Sequence, residues 1–137
     1  MRMNHINLAV SNVPQSRAVF ETYFGLRCLM APSPETLVVL VDESDCVITL
    51  SNFNKATDVS YPNAFHIGFM QPSREVVDAI HSRLQDDGYA VGPCKEFHGA
   101  WTFYFKSPGG FTIEVLGPLG TLSEDSVWRV PLSQSGR

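Results

Sequence analysis

Alternating hydrophobic and polar positions predict two similar strands, one at the start of the chain and one near its middle. In the first, residues 3–10, His5 lies on the face opposite the isoleucine, leucine and valine side chains. In the second, residues 65–70, phenylalanine and isoleucine side chains occupy one face and His66 points to the other. Each predicted strand therefore carries a histidine on its less hydrophobic face.

Each of these strands is followed by a pattern typical of an amphipathic helix. The first helix can be capped by Ser11 or Asn12 and should end at Gly25. The second should begin after Ser73 and end at Gly88. Both halves of the chain therefore begin with a strand and a helix.

Three further strands are predicted after each helix, at about residues 27–31, 36–42 and 45–51 and again at about 89–93, 100–106 and 111–117. The polar, turn-rich residues 52–63 separate the two halves. We therefore predict an α+β protein with curved mixed sheets around a cavity. A single domain over residues 1–120 would contain two βαβββ modules, about 3–51 and 64–118, followed by a C-terminal arm at 121–137.

The two halves form an internal repeat of about 60 residues. In this repeat His5 matches His66, and Thr49 matches Glu114. Two imidazoles and one carboxylate suit a divalent first-row metal that keeps open positions, whereas a threonine hydroxyl is a poor ligand. We therefore expect three protein ligands, His5, His66 and Glu114. Taken one at a time, such residues are more often a core histidine or a solvent-facing glutamate.

Composition narrows the function classes. The chain has 137 residues, of which 44% are hydrophobic and 18% charged, which suits one compact domain. A net charge of −4 and the lack of a basic run argue against nucleic-acid binding. No signal peptide or membrane-spanning run is visible, and three widely spaced cysteines form no disulfide framework. A cytoplasmic protein without a membrane partner is expected.

Four stretches of the chain resemble one family: residues 4–11, residues 23–26, the strand that begins at His66, and residues 104–114. Together they resemble the vicinal oxygen chelate superfamily over about residues 3–118. The superfamily includes glyoxalase I, bleomycin-resistance proteins, fosfomycin-resistance transferases and extradiol dioxygenases. The resemblance implies paired βαβββ modules, commonly a homodimer, and metal bound at the two histidines and the glutamate named above. In many members the ligands of one site come from two subunits.

Differences between this sequence and the individual subfamilies restrict the activities that the resemblance implies. Glyoxalase I has a second glutamate at the position of Thr49, and bleomycin-resistance proteins generally lack the three ligands. Fosfomycin-resistance transferases share the ligands, but their arginine after the last strand has no evident counterpart near residues 122–124. Extradiol dioxygenases are typically longer and use a further histidine, for which His98 is the candidate.

Residues beside the expected ligands should line a small, partly apolar pocket: Asn7, Thr49, Gly68, Met70, Thr102 and Leu116. The resemblance points Tyr104 at the cavity, where its hydroxyl could orient substrate or donate a proton. A packed tyrosine with its hydroxyl at the rim is the alternative. His98 could act as an acid or base, or it could be an exposed loop histidine.

The resulting hypothesis is a metal-dependent enzyme acting on a small oxygen-bearing molecule. One divalent ion per site, Fe, Mn, Zn or Ni, would act as a Lewis acid or an oxygen-activating centre. Dioxygenase and lyase or thiol-transferase chemistry both remain open. The alternative is a metal-free protein that sequesters a drug or metabolite, as bleomycin-resistance proteins do.

Overall fold

The computed structural model describes residues 1–120, which contain two helices and eight strands. In chain order these are β1 His5–Ala9, α1 Val13–Phe24, β2 Arg27–Ser33, β3 Leu37–Val41, β4 Val47–Ser51, β5 His66–Met70, α2 Arg74–Asp86, β6 Lys95–Phe97, β7 Ala100–Lys106 and β8 Thr112–Pro118. The βαβββ order occurs twice, which confirms the predicted α+β class and its two modules.

The described chain divides into two compact units. Unit 1 comprises Met1–Phe65 and Ser107–Phe111, and unit 2 comprises His66–Lys106 and the described residues from Thr112 onward. Each unit has its own four-stranded sheet, in the orders β1-β4-β3-β2 and β5-β8-β7-β6. In both sheets the first strand pairs in parallel with the last strand of its module, and the other pairs are antiparallel.

The strand registers repeat between the two units. In unit 1, Thr49 lies opposite Asn7 on the parallel neighbour. In unit 2, Glu114 lies opposite Gly68 in the same way. Each of the two histidines is the first residue of its module's first strand. The matches predicted from the sequence repeat are therefore matches of structural position.

Helix α1 covers the hydrophobic face of the sheet in unit 1. Its N-terminus is capped by Asn12, whose side-chain oxygen accepts a hydrogen bond from the Gln15 backbone N–H at 2.9 Å. Its C-terminal cap is Gly25, in the left-handed conformation at a φ of 68°. The sheet contributes fully buried leucines to this core, among them Leu8, Leu40 and Leu50. Both helix limits predicted from the sequence are close to those observed.

The turn between β7 and β8, residues 107–111, belongs to unit 1. Phe111 is almost fully buried there, and its ring stacks on that of Phe20 in α1 with centroids 6.2 Å apart. At Gly109 an added Cβ would lie 2.9 Å from Val10 Cγ1, so the absence of a side chain permits this packing. The turn thus contributes an aromatic ring to the core of unit 1.

Helix α2 covers one face of the sheet in unit 2. A Cβ at Gly117 would lie 3.0 Å from Val77 Cγ2, so the helix rests closely on β8. The ring of His81 packs edge-on against Phe103 at a centroid distance of 4.9 Å. Because side chains alternate along a strand, Ile113, which is fully buried, shares this face. Glu114 must then point to the opposite face.

The position of β6 differs from the prediction. The sequence pattern predicts a strand at 89–93, but β6 is formed by Lys95–Phe97. Val91 makes only an isolated bridge to Phe105, and the Gly92 N–H donates to the Tyr104 carbonyl at 2.9 Å. Pro93 then has no N–H to donate, so the ladder is interrupted and resumes two residues later.

The predicted arm at 121–137 lies outside the described residues. That residues 1–120 form a single domain stays a prediction. Neither of the two helices in residues 1–120 is long and apolar enough to cross a membrane.

A polar cluster on unit 2 alters the chemistry of one cysteine. The Trp101 indole N–H donates to Asp78 Oδ1 at 2.7 Å, and the Arg74 guanidinium stacks 3.6 Å from the Trp101 ring centroid. Partial burial, and then a hydrogen bond to Asp78 and its negative charge, raise the pKa of the Cys94 thiol to about 11. We therefore expect an unreactive thiol at neutral pH.

This expectation can be tested by alkylation. In the double variant Cys28→Ser, Cys46→Ser, Cys94 is the remaining thiol. Its rate with iodoacetamide should keep rising with pH toward about 11, whereas an ordinary thiol of pKa about 8.5 levels off earlier. Adding Asp78→Asn should move the profile to lower pH because it removes a negative charge that opposes ionisation. A plateau near pH 9 before that substitution would contradict the assignment.

Candidate functional site

One face of the sheet in unit 2 is not covered by α2 and carries most of the residues predicted to form the site. In the β7–β8 pair Tyr104 lies directly opposite Glu114, and Thr102 lies opposite Leu116. In the β5–β8 pair Gly68 lies opposite Glu114. Residues opposite each other point to the same side of a sheet, so they share one face. The predicted site residues on it are His66, Gly68, Met70, Thr102, Tyr104, Glu114 and Leu116.

Glu114 is the centre of this face. It is only 7% exposed. Its Oε1 accepts hydrogen bonds from the Tyr104 hydroxyl at 2.7 Å and from Thr102 Oγ1 at 3.0 Å. Its Oε2 lies 3.4 Å from His66 Nε2. A buried carboxylate needs such partners, because an unpaired charge is costly to remove from water.

Tyr104 is held in its protonated form. Burial, and then the hydrogen bond to Glu114 and the charge of that carboxylate, raise the pKa of Tyr104 to about 12. At neutral pH its hydroxyl therefore donates a hydrogen bond and cannot serve as a base. The His66 ring stands edge-on to the Tyr104 ring at a centroid distance of 5.9 Å, so His66, Tyr104 and Glu114 contact one another.

Sequence reasoning missed Lys95 on the same face. In the β6–β7 pair Lys95 lies opposite Thr102. Its Nζ is 4.8 Å from the Phe97 ring centroid and 5.9 Å from that of Tyr104. The side chain is exposed. A strand of three residues is too short for alternation to reveal, and the predicted strand ends before it, so no sequence signal points to this lysine.

The predicted site residues of unit 1 occupy the equivalent face of the other sheet. His5, Asn7 and Thr49 lie on that face, with Asn7 opposite Thr49. His5 is exposed, and its Nδ1 is 3.2 Å from Asn4 Oδ1. The structure therefore groups the predicted residues into two sets, three in unit 1 and seven on the polar face in unit 2.

His98 lies in the tight β6–β7 turn. It has a φ of 49°, is exposed, and packs its ring against Phe97 at a centroid distance of 3.8 Å. The turn adjoins Ala100, which is four residues along β7 from Tyr104, or about 13 Å of strand. This placement favours an exposed loop histidine over an acid or base acting next to Glu114.

Within residues 1–120, no three His, Cys, Asp or Glu side chains come together in a group suited to a metal ion. His66 and Glu114 are the two predicted ligands that lie in one unit. The assignment of three ligands, with His5 as the third, stays a prediction.

Two βαβββ modules, with a histidine and a carboxylate on the polar face of the second, define a protein of the glyoxalase type. A family model for the Glyoxalase/Bleomycin resistance protein/Dioxygenase superfamily matches residues 2–115, and the chain belongs to that superfamily. The resemblance found in the sequence is thereby confirmed. A search of curated proteins gave no significant match.

Solved structures agree with this family. A possible glyoxalase from Bacillus cereus is 44% identical, with a TM-score of 0.76, over 85% of this chain and 98% of that one. A lactoylglutathione lyase from Agrobacterium tumefaciens is 17% identical, with a TM-score of 0.66, over 85% and 92% of the two chains. The fosfomycin resistance protein FosX from Listeria monocytogenes is 21% identical, with a TM-score of 0.68, over 89% and 95%. The last two show the fold alone.

Proposed function

We propose that this protein is a divalent-metal-dependent enzyme of the superfamily that acts on a small oxygen-bearing molecule. The observation that carries the proposal is the His66–Glu114 pair, an imidazole nitrogen and a carboxylate oxygen 3.4 Å apart on one face of the sheet. The carboxylate is buried while the His66 side chain is 45% exposed, so the pair can be reached from one side.

The separation of the two atoms is longer than a direct ionic hydrogen bond and agrees with two ligands of one ion. A charge-assisted N–H···O bond is about 2.7–2.9 Å long. Two ligands each about 2.1 Å from one ion lie about 3.0–3.4 Å apart at octahedral or tetrahedral angles. The observed 3.4 Å falls within the second range. Imidazole and carboxylate together suit Fe, Mn, Zn or Ni, of which we propose one ion per site.

His5 is the proposed third ligand, on the basis of the sequence repeat and of the superfamily pattern. We also propose a homodimer, so the third ligand would be His5 of the same chain or His5 of the second copy. Thr49, at the position equivalent to Glu114, has no carboxylate to offer. Three protein ligands would leave positions for substrate oxygens.

The chain's own residues would prepare this site for an oxygen-rich substrate. Glu114 supplies negative charge, and the Tyr104 hydroxyl, with its pKa raised to about 12, keeps the proton that it donates to Glu114. The ammonium group of Lys95 adds positive charge to the same face. A metal bound here would supply Lewis acidity or oxygen activation. Dioxygenase and lyase or thiol-transferase chemistry fit this arrangement better than glyoxalase I chemistry, which uses a second glutamate.

A second function is favoured by one observation. Among the described residues, no buried side-chain nitrogen or oxygen lacks a hydrogen-bond partner, and Oε1 of Glu114 accepts from two hydroxyl groups. A carboxylate held by hydroxyl groups of its own sheet also suits the polar wall of a pocket that sequesters a drug or metabolite.

Metal content separates the two functions. Protein purified without a chelator or a metal-affinity tag should contain about one divalent ion per chain by elemental analysis. Chelator-treated protein should regain that ion when incubated with Fe²⁺, Mn²⁺, Zn²⁺ or Ni²⁺. If it contains no ion and regains none from any of the four, the enzyme proposal fails and the sequestering function takes its place.

A further inference from the structure

The two oxygens of Glu114 have different surroundings. Oε1 accepts two hydroxyl hydrogen bonds, from Tyr104 at 2.7 Å and Thr102 at 3.0 Å. Oε2 faces His66 Nε2 at 3.4 Å, and the opposite residue on β5 is Gly68, which has no side chain to fill that space. A Cβ at Gly68 would lie 3.7 Å from Oε2. One oxygen is thus held by two hydroxyl donors, whereas the other, among the described contacts, faces only the His66 ring and the glycine.

We infer that Thr102 and Tyr104 are positioning residues that hold Oε1 and leave Oε2 as the oxygen that faces a metal. The inference rests on the proposed function. In this assignment the hydroxyl groups of Thr102 and Tyr104 act by orienting Glu114 and do not contact the substrate directly. Thr102 is fully buried, which agrees with this role.

The arrangement follows from strand register. Tyr104 stands directly opposite Glu114 on β7, and Thr102 is two residues farther along the same strand, opposite Leu116. Both hydroxyl groups therefore approach the carboxylate from the β7 side. His66 and Gly68 lie on β5, on the other side of β8. The carboxylate is held between a strand that donates hydrogen bonds and a strand that carries the proposed ligand.

The two donors should differ in strength. Thr102 has one hydroxyl hydrogen, and its Oγ1 lies 3.0 Å from both Glu114 Oε1 and the Val115 carbonyl. The charged carboxylate is the stronger acceptor, but the hydrogen is shared. The Tyr104 hydroxyl has the shorter contact, 2.7 Å. Tyr104 should therefore contribute more to the orientation of Glu114.

The test is the affinity of chelator-treated protein for Mn²⁺, measured from the electron paramagnetic resonance signal of the unbound ion. Tyr104→Phe and Thr102→Val should both weaken Mn²⁺ binding within about 10–100-fold, the usual effect of removing a hydrogen bond to a metal ligand, and the loss should be larger for Tyr104→Phe. Thr102→Ser keeps the hydroxyl and should retain affinity within about threefold. Tyr89→Phe removes a tyrosine hydroxyl from a ring that packs on Phe105, and should not change the affinity.

A second readout follows the carboxylate itself. Infrared difference spectra of Mn²⁺-loaded minus metal-free protein report, through the splitting of the carboxylate stretches, whether one or both oxygens bind. The wild type should show a one-oxygen pattern that is missing in Glu114→Gln. The double variant Tyr104→Phe, Thr102→Val should shift toward the two-oxygen pattern.

The outcomes separate this inference from the proposed function. If the wild type binds no Mn²⁺ or other divalent ion, both fail. If it binds Mn²⁺ and the hydroxyl variants keep wild-type affinity and splitting, only the positioning role fails. A lower midpoint of thermal unfolding without a change in Mn²⁺ affinity would assign the two hydroxyl groups a purely structural role, and would also overturn the inference.

Discussion

Glu114→Gln is expected to abolish tight binding of a divalent metal while leaving the fold intact. The substitution removes the negative charge, and an amide is a far weaker ligand for these ions than a carboxylate. Glutamine has the same length, and its carbonyl oxygen can still accept from Tyr104 and Thr102, which now donate to Oε1. We expect affinity to fall by more than about 100-fold, beyond the loss typical of an outer hydrogen bond. Titration with Mn²⁺ and circular dichroism would measure the two effects.

Glu96→Gln is the matched control for this substitution. Glu96 is an exposed carboxylate on β6 of the same unit, and it lies opposite Trp101, so it shares a face with neither Tyr104 nor Glu114. Its replacement removes the same charge from the unit and should leave metal affinity unchanged. Stoichiometric metal in Glu114→Gln would refute the ligand assignment. If Glu114→Gln and Glu96→Gln lose the same metal affinity, the loss is caused by the change in net charge and not by removal of a ligand.

Gly110→Ala is expected to cause the largest loss of stability of any glycine-to-alanine substitution within residues 1–120. Gly110 has a φ of 95°, and a Cβ added there would lie 2.3 Å from the Val59 carbonyl oxygen. That oxygen belongs to the backbone, so a side-chain rotation cannot relieve the clash. We expect the free energy of unfolding to fall by about 3 kcal/mol or more, from strain together with overpacking. Urea unfolding would measure it.

Gly88→Ala is the control that separates backbone strain from overpacking. Gly88 has a similar φ of 89°, but nothing lies within 4 Å of the position of an added Cβ. Its replacement should cost only the penalty of the left-handed conformation, about 1 kcal/mol. The difference between the two variants then measures the contact with Val59. If both variants lose the same free energy, the close approach at Gly110 contributes nothing.

Much of the fold can be predicted from local patterns. The Asn12 cap and the Gly25 stop of α1 depend on neighbouring residues, so they can be recognised in the sequence. The seven-residue strand β7 is predicted with its observed limits, because alternation over that length is distinctive. The three-residue strand β6 is misplaced, since Pro93 interrupts pairing that is defined by a distant strand.

The site can be predicted in part. Alternation assigns Glu114 and His66 to the less apolar faces of their strands, and in the structure both lie on the sheet face opposite α2. Alternation along one strand does not determine the register between two strands, that is, which of their residues lie opposite each other. The contact of Tyr104 with Glu114 therefore depends on the register of β7 and β8, and that of Lys95 on the register of β6.

The sequence by itself determined the order of elements, the repeat of the module, and the face of each strand that carries polar groups, because all three depend on residue spacing. Only the tertiary structure decided that Glu114 is buried, and that its Oε1 is held by two hydroxyl groups while Oε2 faces His66. The physical reason is that a side-chain hydrogen bond requires atoms within about 3 Å. Strand pairing between residues far apart in the chain sets that distance.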